Sequence, residues 1–387
     1  MSLHPLVGHE DVRKTILGAV ARESLPAALL VHGPKGVGKQ RLALWIGQLL
    51  MCDSPTNSGP CDRCGPCKMG LNLEHPDLNW YFPLLRPKGA SGERLVGALE
   101  DARMEALADR RAEPLQSSHF DELRGLYLGM VRNLRRRATM RPAMAEGQIF
   151  VIGNAELLVP QESSPEAANA LLKLLEEPPG AARFILTTSE PGRLLATIRS
   201  RTVPVHVAGL PDETVASFLV DARGVDHQVA LWAARLSQGS IGRALGFLPD
   251  RDDLGSLEAL RRKAYALIAA AMAGGPVGGY TTALGFSPAG ARKLVDLFGF
   301  AEEWLRDLGA VASGAGDSIF NHDAREKLEE IVSSTGVLPS DIANALTRVE
   351  EARELAFGNV NPQLIVDGLV RALRKALKPQ RTREVVR

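Results

Sequence analysis

The chain has 387 residues, and its 46 Lys and Arg against 45 Asp and Glu give a formal net charge of +1. This length predicts two or three domains, and the charge balance excludes a uniformly basic, histone-like DNA-binding protein while allowing a local basic patch. Aromatic residues make up only 5%, which disfavours binding of single-stranded nucleic acid by stacking.

Short apolar runs alternate with helical patterns up to about residue 207. The runs at 27–31, 149–152, 184–186 and 203–205 predict strands of a parallel sheet with helices on its faces. Residues from about 80 to 122 are charged and weakly hydrophobic, so we interpret them as an inserted exposed helix or a mobile loop. The strand signal then ends, and helical patterns predict a small unit at 209–250 and a second helical domain at 251–387.

No apolar run is long enough to cross a bilayer, and residues 1–5 do not begin a secretory signal. We therefore predict a cytoplasmic location and no membrane partner.

A glycine-rich segment, GPKGVGKQ at residues 33–40, follows the first predicted strand and precedes a helix. Gly33, Gly36 and Gly38 allow backbone amides to surround a phosphate, and Lys39 can reach the terminal phosphates of ATP or ADP. The segment therefore predicts a P-loop. Gln40 stands where Ser or Thr would bind Mg²⁺, so a loop that is retained without nucleotide chemistry stays an equal alternative.

The strand at 149–152 is followed by two further departures from an ATPase pattern. Gly153 stands where an Asp would support Mg²⁺, and Asn154 stands where a Glu would prepare the attacking water. Neither residue carries the negative charge that these roles need. We interpret Glu156, two residues further on, as a surface or helix-start residue, and we expect no efficient ATP hydrolysis.

All four cysteines of the chain lie close together in a C-x8-C-x2-C-x2-C pattern: Cys52, Cys61, Cys64 and Cys67. Thiolates at these spacings can converge on one ion, and four protein ligands without an open position are typical of a structural Zn²⁺ site. The segment 52–67 therefore predicts a zinc knuckle. Free thiols or an iron–sulfur cluster remain alternatives.

Several motifs together resemble the bacterial clamp-loader ATPase family of DNA polymerase III. They are the P-loop, the cysteine knuckle that follows its helix, VGH at 7–9, NALLKLLEEPP at 169–179, FILTTS at 184–189, TIRSRT at 197–202, GSIGRAL at 239–245 and NVNPQL at 359–364. The resemblance covers residues 1–250 well and the remainder more loosely. It implies a P-loop AAA+ domain at 1–208, a helical lid at 209–250 and an all-α collar domain at 251–387.

The resemblance also implies roles for individual residues. TIRSRT corresponds to the Ser-Arg-Cys motif of the family, with Thr202 in place of Cys. Arg201 would then act as an arginine finger toward a neighbour's ATP, with Ser200 positioning the turn. Thr188 corresponds to the sensor-1 strand and Arg243 to sensor 2, beside the nucleotide. An ordinary surface role for Arg201, and bracing of the lid by Arg243, are the structural alternatives.

Within this family, the three departures at the P-loop favour a stator that does not hydrolyse ATP itself. The implied partners are the tau/gamma and delta subunits, the sliding clamp and primer-template DNA in the assembly. An ATPase motor of the tau/gamma type and a zinc-knuckle nucleic-acid-binding protein are the two alternative functions.

The arginines at 132, 135, 136, 137 and 141 could contact phosphates, but we favour a solvated helical face. A second basic segment lies at the C-terminal end, and we interpret it as a frayed, solvated terminus: Arg371, Arg374, Lys375, Lys378, Arg381, Arg383 and Arg387.

Overall fold

The computed structural model describes residues 3–115, 124–158, 166–249, 253–273, 278–288, 290–358 and 360–377. The chain divides into two compact units, Met1–Leu245 and Gly246–Arg387. Residues 116–122 of the predicted insertion and the basic residues from Lys378 onward lie outside the described ranges. A separate lid at 209–250 and a collar at 251–387 stay predictions.

Strands in the described part of the first unit are β1 Ala28–His32, β2 Leu78–Tyr81, β3 Leu84–Leu85, β4 Arg124–Gly125, β5 Ile149–Ile152, β6 Arg183–Thr188 and β7 Val203–His206. Five of them form a parallel sheet in the order β2-β5-β6-β1-β7, and β3 pairs antiparallel with β4. All of β5 and residues 28–31 of β1 are buried, as expected for apolar strands covered on both faces. The predicted parallel sheet is confirmed.

Helices α2–α7 lie between strands of the first unit in the chain: α2 Lys39–Leu50, α3 Gly65–Leu71, α4 Gly92–Ala112, α5 Leu128–Ala138, α6 Glu166–Glu176 and α7 Ala196–Arg199. Helix α1 Glu10–Ala21 precedes β1, and α8 Asp212–Arg223, α9 His227–Ser237 and α10 Ile241–Phe247 follow β7, with the last residues of α10 in the second unit. Because β1, β5 and β6 run parallel, their carboxyl ends lie at one edge of the sheet, the usual position of a ligand site. Gly33, Gly153 and Ser189 follow these three strands.

Part of the predicted insertion is an integral part of this fold. Residues 80 and 81 belong to β2, an edge strand of the sheet. The helix α4 buries Arg103, whose guanidinium donates to Glu100 at 2.6 Å and to the carbonyl of Trp80 at 3.2 Å. Arg137 of α5 also pairs with Glu100, at 3.1 Å. The expected helix is present as α4, and only Leu99, Arg103 and Leu107 of it are buried, in agreement with a largely exposed helix. The expectation did not include the strand residues of β2 and β3 or the contacts of the charged face of α4 with α5 and the sheet.

The described part of the second unit is entirely helical, as predicted. Its helices are α11 Ser256–Met272, α12 Gly278–Leu284, α13 Leu294–Ala312, α14 Arg325–Thr335, α15 Pro339–Ala356 and α16 Pro362–Ala376. The core contains Phe298 and Trp304 of α13, and a buried Arg261 links α11 to Asp323 at 2.6 Å. Across the described residues, no helix has the length and apolar content needed to cross a membrane.

Candidate functional site

The P-loop connects β1 to α2, and its glycines occupy positions that a side chain could not easily take. Gly36 and Gly38 have φ angles of 81° and 96°, which favour glycine. A Cβ on Gly33 would lie 2.0 Å from the carbonyl oxygen of Val207. The loop thus ends at the N-terminus of α2, where unpaired backbone amides favour an anion.

Lys39, the first residue of α2, is buried inside the loop. Its Nζ donates to the carbonyls of Gly33 at 3.0 Å and Pro34 at 2.6 Å, and to the hydroxyl of Ser189 at 2.9 Å. Burial lowers the pKa of Lys39 to about 8, although the carboxylate of Glu156 acts in the opposite direction. When protonated, the Lys39 ammonium group is thus only partly neutralised by the groups around it, so the loop is suited to bind a phosphate.

Residues from both ends of the first unit surround the P-loop. The ring of His9 lies 2.8 Å from the carbonyl oxygen of Val37 through its Nε2. The hydroxyl of Ser240 donates to the carbonyl of Lys35 at 2.9 Å, and the amide of Gly242 donates to that of Gly36 at 3.0 Å. The structure therefore brings the VGH and GSIGRAL segments to the loop, and it places the backbone of Arg243 next to it.

Gln40 contacts the two other positions at which the ATPase pattern fails. Its Nε2 donates to Oδ1 of Asn154 at 2.6 Å, and its Oε1 accepts from Nε1 of Trp80 at 3.0 Å. A Cβ on Gly153 would lie only 2.4 Å from Oε1 of Gln40. The side chain of Gln40 thus fills the space where an acidic residue at position 153 would begin.

These residues do not fit Mg²⁺ in the way that the fold family implies. Mg²⁺ prefers carboxylate and hydroxyl oxygens in near-octahedral geometry. Gln40 and Asn154 offer only side-chain amides, and Gly153 has no side chain to offer. The oxygens of Gln40 and Asn154 already accept hydrogen bonds from within the chain.

Glu156 is a functional candidate that we misplaced from the sequence. It lies in a short 3-10 turn after β5 and is only 4% exposed. Its Oε1 accepts from the amide of Ser189 at 3.3 Å, and burial raises the pKa of its carboxyl group. Its place in the first turn of this 3-10 helix agrees with the prediction of a helix-start residue, whereas the alternative of a surface residue is wrong because the side chain is buried. The preceding Asn154 has a φ of 53°.

Thr188, the predicted sensor-1 residue, ends β6 and is fully buried. Its hydroxyl accepts from the amide of Glu190 at 3.0 Å, while the neighbouring Thr187 hydroxyl accepts from the amide of Asn154 at 3.2 Å. The Thr187 contact therefore links the ends of β5 and β6, whereas the Thr188 contact stabilises the turn that follows β6. A contact of Thr188 with nucleotide stays a prediction.

Arg201 lies in an exposed turn after α7. Its Nη2 pairs with Oε1 of Glu176 at 2.5 Å, and its Nη1 donates to the carbonyl of Thr197 at 3.0 Å. The hydroxyl of Ser200 donates to the same carbonyl at 3.1 Å, so Ser200 stabilises the turn. None of these contacts involves the P-loop of this chain.

The four cysteines form one cluster, in which all Sγ atoms lie within 4.8 Å of one another. Sγ of Cys61 is 4.0 Å from that of Cys67, and Sγ of Cys64 is 4.0 Å from that of Cys52. Tetrahedral Zn²⁺ with Zn–S bonds of about 2.3 Å requires sulfur atoms about 3.8 Å apart. The cluster can therefore bind a metal ion with almost no movement.

Backbone amides favour the thiolate of Cys61, and a side-chain hydrogen bond attaches the cysteine cluster to α2. The amides of Arg63 and Cys64 lower the pKa of Cys61 to about 6, whereas burial raises the pKa of Cys67. Nε2 of Gln48 donates to Asp62 at 2.7 Å. The knuckle thus sits on the helix that begins at the P-loop.

A family model described as DNA polymerase III, delta subunit, matches residues 8–211. This range contains the P-loop, the cysteine cluster, α6 and the Arg201 turn. The chain belongs to this clamp-loader family. The predicted family resemblance is therefore confirmed.

Curated relatives agree with this assignment. The chain is 29% identical over 218 residues to DNA polymerase III subunit delta' of Escherichia coli, which covers 56% of the chain and 53% of the relative. It is 35% identical over 212 residues to the delta' subunit of Pseudomonas aeruginosa, covering 53% and 52%. It is 26% identical over 196 residues to subunit tau of Bacillus subtilis, covering 51% and 27%. The matches to the delta' subunits thus span about half the length of each relative.

Among solved structures, a gamma subunit-related protein from Thermotoga maritima matches with a TM-score of 0.35 and 16% identity. That match covers 94% of this chain and 99% of the other.

Sequence reasoning missed three residues that contact the predicted site, namely Trp80, Glu156 and Glu176. Trp80 lies 40 positions from Gln40, on a strand that we did not predict. Glu176 was visible only as part of the NALLKLLEEPP motif. For Glu156 the sequence did contain a signal: a carboxylate four residues after a buried parallel strand lies near the edge of the sheet where ligands bind.

Proposed function

We propose that this chain is a delta-prime-type subunit of the DNA polymerase III clamp loader, and so a component of the polymerase holoenzyme. In this role it acts as a stator in the cytoplasm: it does not hydrolyse ATP itself, and it helps to load the sliding clamp onto primer-template DNA. The observation that carries the proposal is the neutral set of Gln40, Gly153 and Asn154 at a P-loop that is otherwise intact. A motor would need acidic side chains there.

Arg201 is proposed to complete the ATP site of a neighbouring tau/gamma subunit. An arginine finger must be exposed and must be able to exchange its partner for a γ-phosphate. Arg201 meets both conditions, because its partner Glu176 is itself 44% exposed on its side chain. Ion pairs of this kind contribute only about 0–1 kcal/mol. Ser200 positions the turn that presents it.

The P-loop keeps the backbone of a nucleotide site. Gly33, Gly36 and Gly38 shape it, and Lys39 supplies the charge that ATP or ADP requires. Thr188 and Arg243 are proposed to lie beside the phosphates. Such binding would stabilise the fold rather than support a reaction.

The cysteine cluster is proposed to hold Zn²⁺ as a structural ion. All four positions of a tetrahedron are taken by thiols, so no site remains for a substrate or water. The contact between Gln48 and Asp62 makes the knuckle an extension of α2. Its proposed role is to stabilise the first unit.

The two alternatives make different predictions. A tau/gamma-type motor would hydrolyse ATP as an isolated chain and lose this activity on Lys39→Ala. A zinc-knuckle nucleic-acid-binding protein would bind DNA alone, in a salt-sensitive and zinc-dependent manner. The absence of acidic residues at 153 and 154 disfavours the motor, and the family membership disfavours an isolated knuckle.

Co-expression with tau/gamma and delta subunits tests the proposal directly. We expect the chain to elute with both partners in a single complex, and the purified chain alone to show neither ATP turnover nor tight DNA binding. Elution as a separate species in the presence of both partners would contradict ring membership. Robust turnover by the isolated chain would contradict the stator role.

A further inference from the structure

The three positions that depart from the ATPase pattern are in contact with one another, although they come from distant parts of the chain. Gln40 lies in the first turn of α2, while Gly153 and Asn154 follow β5. The side-chain amide of Gln40 lies against both, with a hydrogen bond of 2.6 Å to Asn154. A Cβ at position 153 would lie 2.4 Å from Oε1 of Gln40, so this side chain would have to leave its contacts with Trp80 and Asn154. A change at one of these positions therefore alters the space available at the others.

Trp80 fixes the orientation of the Gln40 amide. The indole N–H can only donate, so the atom of Gln40 that faces it at 3.0 Å must be the oxygen. The NH₂ group of Gln40 must then face Asn154, which accepts with its own oxygen. As a result, the side-chain oxygens that could contact a cation are both engaged by hydrogen-bond donors.

Trp80 is itself held firmly in place. It is 8% exposed and lies on β2, in register with Val151 of β5. Its ring packs edge-on against Phe82 at 4.9 Å, and the guanidinium of Arg110 from α4 lies 4.9 Å above it. The helix α4 therefore contacts Trp80 through Arg110, and Trp80 in turn contacts Gln40 next to the P-loop.

We infer that Gln40, Gly153, Asn154 and Trp80 form one interlocked unit, here called the amide lock, which replaces the Mg²⁺ ligands of the P-loop. Phosphate binding by this chain accordingly gains nothing from a divalent cation. Position 153 can accept an acidic side chain only when the residue at position 40 is shortened. This inference deepens the non-hydrolysing role proposed above and rests on it.

The test uses the full-length chain and measures the shift in its thermal unfolding on adding ADP, either with Mg²⁺ or with no Mg²⁺ added and no chelator, so that the cysteine cluster is left undisturbed. For the wild-type chain we expect the same shift in both conditions. Gly153→Asp alone should lower the melting temperature by about 5 °C, because it overpacks against Gln40, and should give no Mg²⁺ response. Adding Gln40→Thr to Gly153→Asp should restore most of the loss and create a larger ADP shift with Mg²⁺ than without it.

A matched control comes from Gly147, just before β5, where a Cβ would lie 2.3 Å from the carbonyl oxygen of Ala181. Gly147→Asp should also destabilise the chain, but Gln40→Thr should not rescue it. The amide lock is wrong if the wild-type chain shows a Mg²⁺-dependent shift, or if Gly153→Asp is tolerated without the change at position 40. The unfolding test needs no partner subunit. A negative result in it would therefore contradict the amide lock but not ring membership, and a negative co-elution result would contradict ring membership but not the amide lock.

Discussion

The P-loop and the Arg201 turn belong to the same compact unit, yet their polar groups are satisfied in opposite ways. At the P-loop, Lys39 and Gln40 are directed inward and make several hydrogen bonds to other residues of the chain. At the turn, Arg201 is exposed and shares its charge with a single exposed carboxylate, that of Glu176. This difference is what the proposed stator role requires, because such a subunit uses no ATP site of its own and offers an arginine to the ATP site of a neighbour.

Removal of zinc should produce the largest loss of stability, and this loss should be confined to the cysteine knuckle and the adjoining end of α2. Structural Zn²⁺ binds with an apparent free energy on the order of 10 kcal/mol, so chelation or Cys64→Ser should release the knuckle and the end of α2. Hydrogen exchange should show lost protection at 52–71 and unchanged protection at 196–202. Equal loss in both segments would mean that the two regions are not independent.

Arg201→Ala should have the second largest effect, and it should be visible only in the assembled loader. Arginine fingers accelerate hydrolysis about 10³-fold or more, so the DNA-stimulated ATPase of a reconstituted complex should lose the contribution of one interface. Melting temperature and complex formation should not change. Arg199→Ala, which alters an exposed arginine two residues away, is the matched control, and an equal loss in both variants would contradict a specific finger.

The pH dependence of stability tests the burial of Lys39. The pKa of Lys39 is about 8 in the folded chain, compared with an ordinary value of 10.5. Between these values the unfolded chain binds more protons than the folded one, so the folding free energy contributed by Lys39 improves as pH rises. Relative to Lys39→Met, the wild-type chain should gain up to about 3 kcal/mol between pH 7 and pH 10.5 in urea unfolding. A constant difference would mean that Lys39 is not buried.

Glu176→Gln should have the smallest effect. The half-exposed ion pair with Arg201 is worth about 1 kcal/mol or less, so the ATPase of the assembled loader should change by less than about fivefold. Stability should be unaffected within the error of a thermal melt. A loss as large as that of Arg201→Ala would show that Glu176 is needed to hold the finger in place.

What the sequence predicted well was local in the chain. The apolar runs at 149–152 and 184–186, the P-loop glycines and the spacing of the cysteines each require only a few neighbouring residues. Burial of both faces of a parallel strand, or convergence of thiols on one point, follows directly from such short patterns.

What the sequence did not predict depends on contacts across long separations. The strand β2 has the sequence LNWY, which is too short and too polar to be predicted as a strand. Its polar atoms have distant partners: Asn79 accepts from Arg137, and Trp80 donates to Gln40. The charged residues of α4 suggest solvation, yet Glu100 pairs with Arg137 of α5 at 3.1 Å and Arg103 donates to the carbonyl of Trp80 at 3.2 Å. Partners more than 20 residues away cannot be recognised from a single local pattern.

The hydrogen bonds from Ser240 and Gly242 to the carbonyls of Lys35 and Gly36 have a mechanical consequence. A rotation of residues 209–245 against the sheet would break both bonds. It would also separate Ser240 from Gly36, which approach so closely that a Cβ on Gly36 would lie 2.4 Å from the Ser240 hydroxyl. These two bonds, worth about 1 kcal/mol each, stiffen the joint between residues 209–245 and the P-loop. A rotation there is therefore coupled to the shape of the P-loop itself.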